Sequence, residues 1–385
     1  TLFLKETGVL SEELDEAITS ELKKLIQDSF DIAHAEDKII PNVETELADM
    51  YAPYTYEAVQ QQGEAREIRF IDAIQEGLKQ SMENHDDLVI MGQDVAEYGG
   101  VFKVTEGFVE QFGKGRVRNT PICESAIVGA GLGLSISGMK AVVEMQFADF
   151  VTCGFNQIIN NLAKMHWRWG QNADVVVRMP TGANTAAGPF HSQSNEAWFT
   201  HTPGLKVVYP STPEDAKGLL IAAINDPNPV LFFEHKYLYR SLKGDVAPNA
   251  YTTEIGKAKT VASGEDLTIV TYGLGVIWAQ EYMKKNPDLS IELLDLRTLL
   301  PLDTEAIYKA VRKTGRVLVF HEDCLTGGLG GEVAALIAEN CFKDLDAPVK
   351  RLASLDTAVP FTPSLEAHSF PELRLDQVVR ELLAF

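Results

Sequence analysis

Two side chains stand out for their chemistry. A carboxylate, Glu124, opens the glycine-rich stretch RNTPICESAIVGAGLGLSISG (118–138), and an imidazole, His191, lies in GPFHSQS (188–194) after the small-residue run GANTAAG (182–188). Between them lie apolar segments suited to a buried sheet, among them VVEMQFADF (142–150). This pattern suits an acid buried against a cofactor with an imidazole aimed at it. Pro121 keeps the chain before Glu124 extended. Beyond the acid, Gly129, Gly133 and Ser137 recur every fourth position, which lets another backbone approach closely, as at a subunit interface. The GAGLG wording fails the GxGxxG spacing of a dinucleotide fingerprint, and no strand leads directly into it. Taken alone, Glu124 also suits a helix N-terminus because the helix dipole favours an acid there. A lone histidine is more often structural, but His191 sits in a loop after an expected strand, where active-site groups collect. His201, His235 and His321 read as structural or peripheral.

The elements that must position these groups alternate between helix and strand from Glu67 onward. IRFIDAIQEGLKQSMEN is an amphipathic helix and DLVIMGQDV a strand ending in a polar loop. KAVVEMQFADF, ADVVVRMP, LKVVYP and PVLFFEH read as short buried strands. STPEDAKGLLIAAIND is a helix with Thr212 at the N-cap, Pro213 at the first helical position and Asp215 completing a capping box. The alternation implies a mostly parallel sheet covered by helices. KGDVAPNAYTTEIG (243–256) reads as a linker into a second α/β unit. That unit runs through LTIVTYG, SIELLDLRTLLPLD, RVLVFHED and VKRLASLD to a closing helix, DQVVRELLAF. Residues 1–62 differ. Apolar residues at Leu10, Leu14, Ile18, Leu22, Leu25 and Ile26 have helical spacing, with Glu12 and Glu13 suited to the helix start. Pro41 breaks that pattern, residues 42–56 are expected to wrap a neighbour, and YTYEAVQQQGEAR (54–66) reads as a linker.

The bulk composition excludes several classes. The chain has 385 residues, 45% hydrophobic and 23% charged, long enough for two or three domains of an ordinary globular protein. A net charge of −21 disfavours nucleic acid and anionic membrane surfaces and favours a basic partner. Cys123, Cys153, Cys324 and Cys341 form no CxxC pair and read as reduced thiols of a cytoplasmic protein, with no zinc site. No stretch has the ~18 apolar residues of a membrane span, and the N-terminus has no basic region of a signal peptide. The chain lacks an initiator Met and is expected to be a piece of something longer.

Several segments, in order, carry a family resemblance: TPICES (120–125), EMQFADF (144–150), HSQS (191–194), HTPGLKVVYPSTPEDAKGLL (201–220) and LDLRTLLPLD (294–303). From about Arg66 to Phe385 the chain resembles the beta half of the thiamin-diphosphate-dependent 2-oxoacid dehydrogenases, with QFADF nearest the branched-chain group. The resemblance implies two doubly wound α/β domains, a pyrimidine-binding transketolase-like domain at 63–245 and a transketolase C-terminal-like domain at 256–385. Residues 1–62 resemble the C-terminal helical tail and linker of the alpha half, so a fused alpha–beta polypeptide is expected. An alpha half cleaved from this chain but still associated is the alternative.

The resemblance also implies residue roles. Glu124 contacts the pyrimidine N1′ of thiamin diphosphate, sharing the proton that lets the cofactor lose its C2 proton and become a nucleophile, and a dry pocket strengthens that contact. The backbone of Ile122, Gln146 and Phe150 line the pocket; many relatives carry Tyr where Phe150 stands, so a hydroxyl is absent here. His191 faces the substrate and guides the lipoyl arm, with Phe190 before it where relatives often carry Tyr. Asp226 and Asn228, in a turn that also reads simply as a helix-to-strand connection, join the carbonyls of Ala173, Val175, Val176 and Ala223 around a potassium ion. No GDG…N segment is present, so Mg2+ and the cofactor's diphosphate fall to the alpha half. Implied partners are that alpha half, a second copy of this chain in a two-alpha, two-beta assembly, and the lipoyl acyltransferase core. A small basic domain of that core would dock at the Phe385 carboxylate and acids such as Asp346. Pyruvate or acetoin as substrate, another enzyme of the transketolase group, and an assembly module without chemistry are the alternatives.

Overall fold

The computed structural model describes residues 1–385, which divide into a unit at Thr1–Ala48 and a unit at Asp49–Phe385. The first unit is helical. Its main helix, Glu12–Ala35, is capped by Ser11, whose Oγ accepts from the Leu14 N–H at 3.1 Å. Glu12, Glu13 and Asp15 in the first turn complement the helix dipole. The helix ends before Pro41 is reached, and its apolar side chains, from Leu14 to Ile32, are exposed.

The second unit holds three sheets. β1 (Arg66–Arg69) pairs antiparallel with β8 (Lys243–Val246). A seven-stranded sheet contains β2 (Leu88–Gly92), β3 (Val117–Asn119), β4 (Lys140–Glu144), β5 (Val175–Thr181), β6 (Lys206–Val208), β7 (Val230–His235) and β12 (Thr298–Leu300), in the order β12-β6-β7-β5-β4-β2-β3. A five-stranded sheet contains β9 (Lys259–Ala262), β10 (Leu267–Thr271), β11 (Ile291–Asp295), β13 (Val317–Cys324) and β14 (Lys350–Ser354), in the order β14-β13-β10-β11-β9. All neighbours in the large sheet are parallel except β12 with β6. β2, β4, β5 and β7 are buried along almost their whole length, as their unbroken apolar runs require when helices cover both faces. This is the two-part doubly wound α/β fold expected from the alternation.

The helix Pro213–Asn225 begins as its residues dictate. Thr212 Oγ1 accepts from the Asp215 N–H at 3.1 Å and lies 3.0 Å from Asp215 Oδ2. Arg178 in β5 is wholly buried and paired on both sides, at 2.6 Å from Glu144 and 2.6 Å from Glu234. Removing Arg178 would strand two carboxylates in the sheet, a cost of at least about 3–5 kcal/mol.

Three segments differ from expectation. Residues 49–62, which join the end of the segment expected to wrap a neighbour (42–56) to most of the expected linker (54–66), form a strap on the α/β body. Ala52 N donates to Asn228 Oδ1 at 2.7 Å, Val59 N to Thr252 Oγ1 at 2.9 Å and Gln62 N to Asn249 Oδ1 at 2.7 Å. Short polar side chains of the body thus satisfy an extended main chain that makes no ladder. The expected linker at 243–256 contains β8 and the buried Tyr251, whose hydroxyl donates to the Glu214 carbonyl at 2.7 Å. LDLRTLLPLD serves both large sheets, ending β11 in one and supplying β12 to the other. Arg297, in the left-handed region at φ 55, makes the turn between them and pairs with Asp215 at 3.0 Å.

Candidate active site

In a parallel α/β sheet, ligands bind beyond the carboxyl ends of the strands. Here the loops after β2, β3, β4, β5 and β7 bring Gln93 and Asp94, Glu124, Gln146–Phe150, His191 and Lys236 to that edge.

Glu124 begins the helix Glu124–Ile136 and is only 8% exposed. Gln93 Nε2 donates to its Oε1 at 3.1 Å. The turn Ala148–Gly154 packs against the start of this helix. A Cβ on Gly154 would lie 3.4 Å from the Glu124 carbonyl oxygen and 3.3 Å from Val128 Cγ2, so the turn and the helix start are in close contact there. The same turn carries Phe150, whose ring meets His191 edge-on at 5.5 Å, while Phe147 meets it at 4.8 Å. One short segment therefore touches the acid's helix at one end and the imidazole at the other.

The remaining expected residues fall as follows. Gln146 Nε2 donates to Asp94 Oδ2 at 3.3 Å, with Asp94 in the left-handed region at φ 59. Ile122 is 83% exposed on the approach to Glu124. Ala173, Val175, Val176 and Ala223 are buried. The side-chain oxygens of Asp226 and Asn228 are engaged by protein donors. Lys206 pairs with Asp226. Asn228 donates through N and Nδ2 to Asp226 Oδ1, both at 2.9 Å, and its own Oδ1 serves Ala52. No cluster of three His, Cys, Asp or Glu side chains is placed to hold a metal.

Sequence reading missed several groups. Asp149 Oδ1 accepts from Gln193 N at 3.1 Å and Gln193 Nε2 at 3.0 Å, and Asn195 Nδ2 donates to the Ala148 carbonyl at 2.9 Å, so FADF and HSQS are stitched together. Lys236 donates to the Gly182 carbonyl at 2.5 Å and lies 5.7 Å from the Phe147 ring. Burial pulls its ammonium down to about 8, against the opposing charges of Asp149, Glu322 and Glu366. For Lys236 the available signal was position: it is a polar residue directly after the apolar run of β7. Beside the His191 loop lies a cavity of about 400 Å3, lined by Ser192, Trp198, Glu322, Asp323 and Phe370 among others. Burial pushes the Asp323 carboxyl up to about 7.

A buried acid at a helix start and an imidazole flanked by two aromatic rings thus lie on loops at one edge of a doubly wound sheet. Residues 66–241 match the family model for the transketolase pyrimidine binding domain, and residues 256–374 that for the transketolase C-terminal domain. The 2-oxoisovalerate dehydrogenase subunit beta of Bacillus subtilis is 47% identical over 83% of this chain and 99% of its own length. The mitochondrial subunit beta 2 of the same enzyme from Arabidopsis thaliana is 43% identical over 80% of this chain and 86% of its own. The pyruvate dehydrogenase E1 component subunit beta of Staphylococcus aureus is 41% identical over 77% and 92%. Among solved structures, a split-gene transketolase, described as an inactive beta4 tetramer, superposes with a TM-score of 0.68 at 21% identity. It covers 82% of this chain and 99% of its own, a likeness of fold. The chain belongs to the beta subunits of the 2-oxoacid dehydrogenases, a thiamin-diphosphate-dependent family of oxidoreductases. No helix is long and apolar enough to cross a membrane.

Proposed function

We propose that this chain is the beta portion of a branched-chain 2-oxoacid dehydrogenase decarboxylase component, and that Glu124 and His191 are its two catalytic side chains. The observation that carries the reading is the burial of Glu124 at a helix start, with the 147–154 turn linking that helix to His191. Relatives 47%, 43% and 42% identical are named for 2-oxoisovalerate, which favours a branched-chain substrate. Overall, the 2-oxoacid loses its carboxylate as CO2, its acyl group forms a thioester on one lipoyl sulfur, and the two electrons reduce the lipoyl disulfide.

Thiamin diphosphate, when bound, supplies the carbon nucleophile and the electron sink for decarboxylation. The residues present fit its pyrimidine end: a carboxyl shielded from water, the Ile122 main chain at the approach, Gln146, and the Phe150 ring. Glu124 holds a proton at the pyrimidine N1′, where exclusion of water strengthens the contact. Gln93, donating to Oε1, fixes the orientation of the carboxyl. His191, wedged between Phe147 and Phe150, presents an imidazole that gives or takes a proton at the substrate oxygen. Mg2+ belongs to the alpha half, and a potassium ion at the 226–228 turn would bind carbonyls of Ala173, Val175, Val176 and Ala223. Residues 1–62 are read as the tail and linker of the alpha half, which supplies the rest of the site in a two-alpha, two-beta assembly. Asp346, whose side chain is largely exposed, and the exposed Phe385 terminus offer negative charge to a small basic domain of the acyltransferase core.

The test is a coupled assay of the chain assembled with its alpha half, thiamin diphosphate and Mg2+, against a panel of 2-oxoacids. The reading expects 3-methyl-2-oxobutanoate to have the highest kcat/KM. A preference for pyruvate would overturn the substrate assignment, and turnover of none would overturn the enzyme assignment.

A further inference from the structure

The loop that carries His191 has little of its own to hold it. Residues 182–188 are glycine, alanine, asparagine and threonine, and they form no ladder. Four consecutive main-chain N–H groups of this loop turn away from β5 and its neighbours toward two carboxylates of the other α/β body. Ala183 N donates to Glu322 Oε1 at 2.7 Å. Asn184 N and Thr185 N donate to Glu366 Oε1 at 2.9 and 3.3 Å. Ala186 N reaches both Glu366 oxygens, at 3.1 and 3.3 Å. Asn184 and Ala186 lie in the left-handed region, at φ 66 and 53, which turns successive N–H groups toward one point. Consecutive N–H groups in such a turn form a concave anion site, and the anion here is a side chain of the same polypeptide.

Glu366 is 3% exposed and sits on the short helix Pro363–Ser369, beyond β14. A second contact comes from the same segment. Gly188, at φ 74, lies under the Phe361 ring so closely that a Cβ there would come within 2.3 Å of it. Glu322, at the end of β13, is fixed in turn by His235 Nε2 at 2.5 Å. Without the carboxylates these N–H groups would lack protein partners, and a run of small side chains would be anchored only near its ends.

We propose that Glu366 is a positioning residue for His191: by gathering the 184–186 amides, the C-terminal body fixes the loop that presents the imidazole. The proposal rests on the catalytic reading of His191. Glu366 touches no reacting atom, so cofactor affinity at the Glu124 side is independent of it.

The test uses the assembled holoenzyme and the variants Glu366→Gln and Glu366→Ala, with His191→Ala as control. Charged hydrogen bonds of this kind are worth enough that about a tenfold rise in hydrogen exchange at amides 184–186, and about a tenfold fall in kcat for acyl transfer, are expected in Glu366→Gln. The alanine variant should show more of both. Thiamin diphosphate affinity should stay within about twofold, because a positioning loss, unlike general unfolding, leaves the other half of the site intact. If Glu366→Ala does not fold, the isosteric Gln variant decides. In the unaltered holoenzyme the three amides should exchange well below the free-loop rate, and unprotected amides there would overturn the clamp. Unchanged exchange in the Gln variant, faster exchange with unchanged kcat, or an equal loss of kcat and cofactor affinity would each overturn the positioning role. Unchanged turnover in His191→Ala would instead remove the catalytic reading of the imidazole, while the exchange data still report on the clamp.

Discussion

The acid and the imidazole are held by different means. Glu124 is fixed within one body: it starts a helix, accepts from Gln93 of the neighbouring strand loop, and is backed by the close approach of Gly154. His191 sits on a loop of small residues, held from its own body through Asp149 and Gln193 and from the other by Glu322 and Glu366. In the proposed roles, the acid would share one proton, which suits a fixed, shielded setting, and the imidazole would meet a substrate that must enter and leave, with part of its support coming from the five-stranded sheet. The five-stranded body contributes no expected catalytic side chain, yet its Glu322 and Glu366 carboxylates hold the main chain of the His191 loop.

The largest expected effect lies on the acid side. Glu124→Gln, nearly isosteric, should lower decarboxylation by about a thousandfold, in the range for loss of a positioned proton-transfer group, with an unchanged melting temperature. Turnover near that of the parent would erase the contrast. On the imidazole side, His191→Ala should lower acyl transfer to the lipoyl group by about a hundredfold, with a smaller loss when an artificial oxidant replaces the lipoyl group. Equal losses in the two assays would contradict a role in lipoyl transfer.

The supporting body should show its own acid sensitivity. His321, next to Glu322 in β13, is buried and its Nε2 accepts from the Gly330 N–H at 3.2 Å. Burial, aided by the Arg351 charge and opposed by a hydrogen bond at Asp323, pulls its pKa from 6.5 down to about 4. Between those values the unfolded chain takes up a proton that the folded chain refuses. Stability from this group is therefore full above pH 6.5 and is lost as the pH falls to about 4, by about 3 kcal/mol. His321→Gln should flatten the stability profile in that window, measured by denaturant unfolding, and an unchanged slope would contradict the assignment. The smallest effect is expected at the wall between the two groups. Phe150→Tyr keeps the ring contacts with Phe147 and His191, so turnover should change by less than about threefold, whereas a larger loss would mean the added hydroxyl disturbs the pocket.

Much of this was legible in the sequence because it repeats locally. Buried parallel strands announce themselves as unbroken apolar runs, and Thr212, Pro213 and Asp215 spell a helix start. The placement of Glu124 at the first turn of its helix followed from Pro121 and the small residues beyond. What was not legible depends on distant partners. The part of the strap from 54 to 62 looks like a linker because its hydrogen bonds end on Thr252 and Asn249, far along the chain. The division of LDLRTLLPLD between two sheets turns on one left-handed Arg297. Glu366 offered no signal, since a lone acid on a short helix does not reveal that it gathers amides roughly 180 residues earlier.

The central claim is that the shielded carboxyl of Glu124 governs proton loss from the cofactor. Its most direct measurement is the rate of hydrogen exchange at C2 of thiamin diphosphate bound to the assembled enzyme, followed by NMR after rapid acid quench, in the parent and in Glu124→Gln. The account predicts fast exchange in the parent and a fall toward the rate of free cofactor in the variant, at saturating cofactor in both. Equal exchange rates with the cofactor fully bound would contradict it.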